Sequence, residues 1–244
     1  MTGVSIVVPT YREAESLPHL IDRIGRLRAG SHLDVELLVV DDDSNDGTVE
    51  LVAGRPEPWL RLAVRKEGRG LAPAVVEGLR AATHEFLVVM DADLSHPPER
   101  IPALIAALRS GLDFAVGSRY VAGGATDDDW GLLRRLQNRV AAVLARPFTS
   151  IRDPMSGFFA LHRSTLERAD PLDPVGYKIA LELIVKCRCE RIGEIPIHFE
   201  SRRYGESKLT VRERIRYLEH LARLGVYRLG AGSRRWSRST RFSR

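Results

Sequence analysis

The feature that most constrains this chain is the regular return of short β-branched runs, each followed by a helical pattern. Strand-like runs fall at residues 4–8, 35–40, 60–64, 86–90 and 113–117. Helical patterns follow at 15–28 and 72–82, and another opens at Pro97-Pro98, where proline suits a first turn. The runs do not alternate strictly between apolar and polar residues, which predicts strands covered on both faces. Strand–helix alternation of this kind predicts an α/β fold, a mostly parallel, doubly wound central sheet with helices on both faces. With 244 residues the chain suits one domain and a short appendage. A hydrophobic content of 44% with 28% charged residues excludes wholesale disorder. No internal repeat interrupts the pattern, and no low-complexity linker precedes Gly230.

Sheets of this type bind ligands beyond the carboxyl ends of their strands, near the point where strand order reverses. Pro9-Thr10-Tyr11-Arg12-Glu13 follows the first run, Asp41-Asp42-Asp43 the second and Asp91-Ala92-Asp93 the fourth. Acids gathered at neighbouring strand ends repel one another unless something positive joins them. Asp41–Asp43 can equally cap the turn that follows, because Ser44 to Thr48 is a good turn and cap sequence. Two carboxylates straddling Ala92 suit a hard divalent cation with oxygen ligands. Neither a G-x-G-x-x-G nor a G-x-x-x-x-G-K-[ST] loop is present, which disfavours a dinucleotide enzyme or a P-loop NTPase. Bound phosphates would then be held by metal and by basic side chains: Arg119, Arg134, Arg135, Arg202 and Lys208. For any one of these an ordinary salt bridge is the default role.

The segments VSIVVPTYREAESL, LLVVDDDSNDGT, VMDADLSHPPERIP, VGSRY, DPMSGFFALHR, GYKIALELIVK and GEIPIHFESRRYGESKL, spanning residues 4–209, resemble the inverting family 2 glycosyltransferases with a GT-A fold. Within these the chain most resembles the dolichol- or polyprenol-phosphate mannosyltransferases. Asp-Ala-Asp-Leu-Ser-His-Pro-Pro-Glu, with Tyr-Gly-Glu-Ser-Lys-Leu far downstream, is the specific part of the match. The resemblance implies a catalytic domain over 1–209 that moves mannose from GDP-mannose to a polyprenyl phosphate. It places Pro9, Tyr11 and Glu13 around the guanine nucleoside, with Val39 and Asp41 beside base and ribose. Asp91 and Asp93 would coordinate Mg²⁺ or Mn²⁺ on the diphosphate, Ala92 would contribute backbone, and Ser95, where some relatives carry Gln, is a third candidate ligand alongside water. Arg119, Arg202 and Lys208 would grip donor and acceptor phosphates, with Arg134 and Arg135 on the acceptor side. Asp153 stands where other members place a base and is read here as a loop-ordering or sugar-contacting residue. A phosphomonoester is largely a dianion at neutral pH and needs positioning rather than a base; a sugar hydroxyl acceptor would make Asp153 the base candidate. The chain departs from the family's pattern at Pro73 and at Asp43. His96 reads as a local hydrogen-bonding residue, and Phe158 and Phe159 as strand core.

A polyprenol acceptor lies in a bilayer, yet no apolar run approaches the ~20 residues that cross one. Residues 210–229 offer another route. Val211, Ile215, Leu218, Ala222, Val226 and Leu229 recur at helical spacing among arginines, as in an interfacial helix. Docking on the chain's own core or on a small membrane-anchoring protein are the other uses of that helix. Residues 230–244 read as a basic flexible tail. All 32 Asp and Glu lie at or before Glu219, and seven arginines follow it, so residues 1–219 carry 30 basic groups against 32 acidic ones. The basic excess is thus a tail suited to an anionic surface or to solubility, not a nucleic-acid-binding fold. The expected location is the cytoplasmic face of a membrane, peripherally bound. Cys187 and Cys189 alone make no disulfide scaffold. The competing readings are another family 2 transferase, using UDP-glucose or a sugar hydroxyl acceptor, and a non-catalytic nucleotide-sugar or nucleic-acid module.

Overall fold

The computed structural model describes residues 1–127, 132–173, 175, 178–201 and 211–239, with side chains outside 132–136, 211–214 and 231–239. The N-terminal half alternates as expected. Strand β1 (Thr2–Thr10) leads to helix α1 (Leu17–Gly30), β2 (Leu33–Asp41) to α2 (Thr48–Ala53), and β3 (Leu60–Val64) to α3 (Leu71–Ala81). β4 (Phe86–Val89) is followed by a 3₁₀ turn and α4 (Ile101–Arg109), and then by β5 (Phe114–Ser118).

Why both faces are covered can be read along each strand. Val4, Ile6 and Val8 of β1, Leu37 and Val39 of β2, and Phe86 and Val88 of β4 pack with α1 and α4 in one core layer. The intervening Val7, Leu38, Val40, Leu87 and Val89 pack with α3 in the other. A period of two divides each uninterrupted apolar run between the two layers. Gly78 of α3 lets that helix lie close on the sheet: a Cβ there would stand 2.4 Å from a methyl of Val7.

The second half departs from simple alternation. The sheet has seven strands in the order β3-β2-β1-β4-β7-β5-β8, where β7 is Phe159–His162 and β8 is Ile192–Pro196. β7 runs antiparallel to both β4 and β5 and so separates them. A small parallel pair, β6 (Ala125–Thr126) with β9 (His198–Phe199), lies apart from the main sheet. α6 is Arg163–Glu167 and α7 is Ile179–Lys186. α5 (Leu132–Ala145) and α8 (Val211–Ser239) meet in a third cluster of Ala145, Met155, Leu181, Tyr217, Leu221 and Leu224. α8 continues ten residues past Leu229, so most of the segment expected as a flexible tail is helical.

Strand order reverses between β1 and β4, which pair in parallel from Val4↔Phe86 to Val7↔Val89. Chain leaving β1 steps outward to β2 and β3, and returns to β4 on the other side. The loops after β1 and β4 therefore flank one crevice, where such sheets bind ligands.

Candidate active site

Beyond β4 the acid pair stands in a tightly determined loop. Asp93 and Ser95 are buried, and Ser95 donates to Asp93 Oδ1 from both its backbone N–H (3.1 Å) and its hydroxyl (2.5 Å). Leu94 between them holds a left-handed φ of 66°, a conformation that costs about 1–2 kcal/mol for a residue with a Cβ. Ser95 is thus the brace of Asp93. The Asp91 side chain is 27% exposed. Gly157 faces it: a Cβ on Gly157 would sit 3.3 Å from each Asp91 oxygen. His96 is buried behind the pair, and the Asp91 backbone N–H donates to its Nδ1 at 3.0 Å. Asp91, Asp93, Arg119 and Asp153 all lie close enough to His96 to act on it electrostatically.

Two carboxylates, all-oxygen donors on a braced loop, fit a hard divalent cation of the kind that completes its shell with substrate phosphate and water. Among the described residues no group of three or more His, Cys, Asp or Glu could form an all-protein cage.

The basic residues divide. Arg119, at the end of β5, is buried against Asp153: Nε to Oδ2 and Nη2 to Oδ1 are both 2.7 Å, and the Arg119 backbone N–H donates to Oδ2 at 3.1 Å. Burial alone would lower the Arg119 pKa, but the Asp153 hydrogen bonds and charge hold it above its ordinary value. Asp153 is fully buried and gives both oxygens to this fork, the arrangement of an ordering residue rather than of a base facing an acceptor. Glu194 of β8 holds the same loop by accepting from the backbone N–H groups of Arg152 (2.9 Å) and Asp153 (3.1 Å). Arg134 and Arg135 belong to α5, but their side chains lie outside those described, and Arg202 and Lys208 lie outside the described residues altogether.

Of the residues expected around the nucleoside, Pro9 and Val39 are buried in their strands, and the Val39 side chain belongs to the core beneath α1. Asp41 is fully buried and accepts from Thr10 Oγ1 (3.1 Å), Ser44 Oγ (2.5 Å) and the Ser44 N–H (2.9 Å). Asp42 pairs with Arg65 and accepts from the Gly70 N–H at 2.7 Å. The Asp41 carboxylate thus orders the turn at Ser44, and Asp42 ties the end of β2 to the loop at Gly70. Glu13 accepts from the Ser16 hydroxyl at 2.9 Å and its carbonyl accepts from the Leu17 N–H, anchoring the entry to α1. Tyr11 remains partly open, with the guanidinium groups of Arg12 and Arg69 at 5.4 and 5.3 Å from its ring centre. Arg69 was given no role from the sequence, although the two glycines beside it mark a specially shaped loop; Gly68 and Gly70 hold φ of 66° and 149°.

Comparison with known proteins agrees with this geometry. The profile of glycosyl transferase family 2 matches residues 5–169. The dolichol-phosphate mannosyltransferase of Pyrococcus furiosus is 41% identical over 226 residues, covering 91% of this chain. This chain spans 63% of that relative's length. The enzymes of the same name from Mycosarcoma maydis and Saccharomyces cerevisiae are each 41% identical, over 93% and 94% of this chain and 80% and 89% of their own. Among solved structures, glucosyl-3-phosphoglycerate synthase from Mycobacterium tuberculosis with Mn²⁺, UDP and phosphoglyceric acid superposes with a TM-score of 0.69 at 22% identity. That match covers 92% of this chain and 79% of the neighbour. The same enzyme with Mg²⁺ and UDP gives 0.68 at 21% identity, over 92% and 80%. These matches define the class, a glycosyltransferase of GT-A architecture. Within it, the chain belongs to glycosyl transferase family 2, in the dolichol-phosphate mannosyltransferase branch.

Proposed function

We propose that the chain transfers mannose from GDP-mannose to a polyprenyl (dolichyl) phosphate, with inversion, at a membrane surface. The observation that carries this reading is the 41% identity to three dolichol-phosphate mannosyltransferases over more than nine-tenths of this chain. The braced acid pair at the switch point supports it. Asp91 and Asp93 would hold Mg²⁺ or Mn²⁺. That ion, when bound, offsets the negative charge that grows on the diphosphate as the glycosidic bond breaks. Mn²⁺ and Mg²⁺ in the M. tuberculosis neighbour's complexes support a divalent ion here.

The chain's own residues then have separable tasks. Tyr11, flanked by Arg12 and Arg69, would take the nucleoside side of the donor. Arg119, fixed by Asp153, carries a buried positive charge beside Asp91 and His96. It would lower the repulsion between acceptor phosphate and leaving group. Arg134, Arg135, Arg202 and Lys208 are assigned to the remaining phosphate oxygens. The acceptor dianion supplies its own nucleophile, which agrees with Asp153 being spent on Arg119. Fixing the two anions in line, with their charge offset, is the work left to the protein.

Membrane engagement is assigned to α8. Tyr217, Leu221 and Leu224 face the molecule, while Ile215, Leu218, Val226 and Leu229 are 54–80% exposed. One helix thus carries two apolar stripes, and the outer one is suited to an interface between headgroups and acyl chains. Among the described residues no helix is long and apolar enough to cross a membrane. A small membrane-anchoring protein would use the same outer stripe.

The test is incubation with GDP-mannose, a polyprenyl phosphate and Mg²⁺, with UDP-glucose as competing donor. Mannosyl lipid formed from GDP-mannose alone supports the reading. Glucosyl lipid, or transfer only to a sugar hydroxyl, overturns it.

A further inference from the structure

The acid loop is held from behind by a side chain that the proposed reaction does not use. His96 lies five residues beyond Asp91 and its side chain is 1% exposed. Its ring stacks on Phe158 at 5.4 Å with 19° between planes, and meets Phe199 edge-on at 5.3 Å. Phe158 is core, and Phe199 belongs to the small strand pair, so the ring is clamped between two parts of the fold. The Asp91 backbone N–H donates to Nδ1 at 3.0 Å. Since that N–H is a donor, Nδ1 must present a lone pair, and a ring proton belongs on Nε2. Nδ1 lies 3.8 Å from Asp91 Oδ2, and Cε1 would lie 3.4 Å from a Cβ on Gly157. The ring thus borders the pocket in which the Asp91 carboxylate stands.

We propose that His96 is the positioning residue of the acid pair: through Nδ1, on a ring held between Phe158 and Phe199, it fixes the Asp91 backbone and with it the place of the Asp91 carboxylate. Asp93 has its own brace in Ser95, two residues on; His96 is the corresponding brace for Asp91. The inference rests on Asp91 and Asp93 being the metal ligands of the proposed function. Groups that orient a ligand in this way, when removed, cost about 10–100-fold in metal affinity.

Two substitutions separate positioning from packing. His96→Phe keeps a flat ring for Phe158 and Phe199 and removes the acceptor. His96→Asn loses the ring and keeps an acceptor where Nδ1 stood. Mn²⁺ binding in the presence of GDP, followed by electron paramagnetic resonance of the free ion, reads metal affinity without turnover. Thermal melts run beside it. The proposal expects His96→Phe to bind Mn²⁺ about 10–100-fold more weakly and His96→Asn to stay closer to the native protein, whichever variant melts lower. A packing role predicts the reverse order. Native affinity in folded His96→Phe overturns the proposal, and so does weaker binding by His96→Asn than by His96→Phe. If His96→Phe does not fold, a tenfold or greater loss in folded His96→Asn overturns it. Asp91→Asn is the companion control. If it binds Mn²⁺ as the native protein does, the metal reading itself falls. Loss in Asp91→Asn with native binding in His96→Phe removes the His96 role alone.

Discussion

At the scale of single residues, the carboxylates of the site differ in burial. Asp41, Asp93 and Asp153 are buried and hydrogen-bonded within the protein, whereas Asp91 keeps a quarter of its side chain exposed. Gly157→Ala would set a methyl 3.3 Å from both Asp91 oxygens. It crowds that carboxylate by a few tenths of an ångström and is expected to lower kcat/KM, by less than the about 100-fold of a full 1 Å misplacement, while the melting temperature changes little. Native kcat/KM in Gly157→Ala would show that the Asp91 carboxylate is not held at that position. Asp153→Ala should behave differently. It leaves Arg119 buried without its carboxylate, so it should destabilise the fold by about 3–5 kcal/mol, measured by denaturant titration. Lost activity at native stability would instead restore Asp153 as a base. The Asp-Ala-Asp pair was legible in the sequence because two acids after a buried run have few structural uses. The brace that Ser95 gives Asp93 was not, nor was the partner of Asp153. Arg119 and Asp153 are 34 positions apart, and only tertiary packing shows that they pair.

At the scale of elements, the first five strands were legible because each is an unbroken β-branched or leucine-rich run bounded by turn signals and set in a strand–helix alternation. β7 was not placed, because four residues carry no direction of their own; it runs antiparallel through its pairing with β4 and β5. α8 was legible as amphipathic, but its outer stripe hid the second, inner one. The two faces make opposite predictions. Leu224→Ala should cost about 2–5 kcal/mol, as for any buried leucine. Leu229→Ser should leave stability unchanged and weaken binding to anionic vesicles, measured by sedimentation. Equal vesicle binding by Leu229→Ser and the native chain would remove the interfacial role. The inner face also carries a buried acid. Glu182 of α7 accepts from Lys186 Nζ and the Asp173 N–H, and lies 3.4 Å from His220 of α8. Burial would raise its pKa, but the nearby His220 ring, the Lys186 ammonium and the Asp173 N–H together outweigh that and lower it. A depressed folded pKa stabilises the fold above the ordinary glutamate value, and that contribution is lost as pH falls through the lower one. Melts in acid should therefore show a loss between those values that is smaller in Glu182→Gln. An identical acid loss in both proteins would contradict this.

At the scale of the whole molecule, a sheet whose strand order reverses beside β1 presents the acid pair, the Arg119–Asp153 pair and the Tyr11 loop at one rim. α8 adds an apolar stripe with arginines beyond it. A water-borne nucleotide sugar and a membrane-borne phosphate could then meet at that rim. The direct measurement is the anomeric configuration of the lipid formed from GDP-α-mannose and a polyprenyl phosphate, with and without divalent metal, by the native chain and by Asp91→Asn. The account predicts β-linked mannosyl phosphate from the native chain with metal, and none from Asp91→Asn or after chelation. An α-linked product, or undiminished transfer by Asp91→Asn, would contradict it.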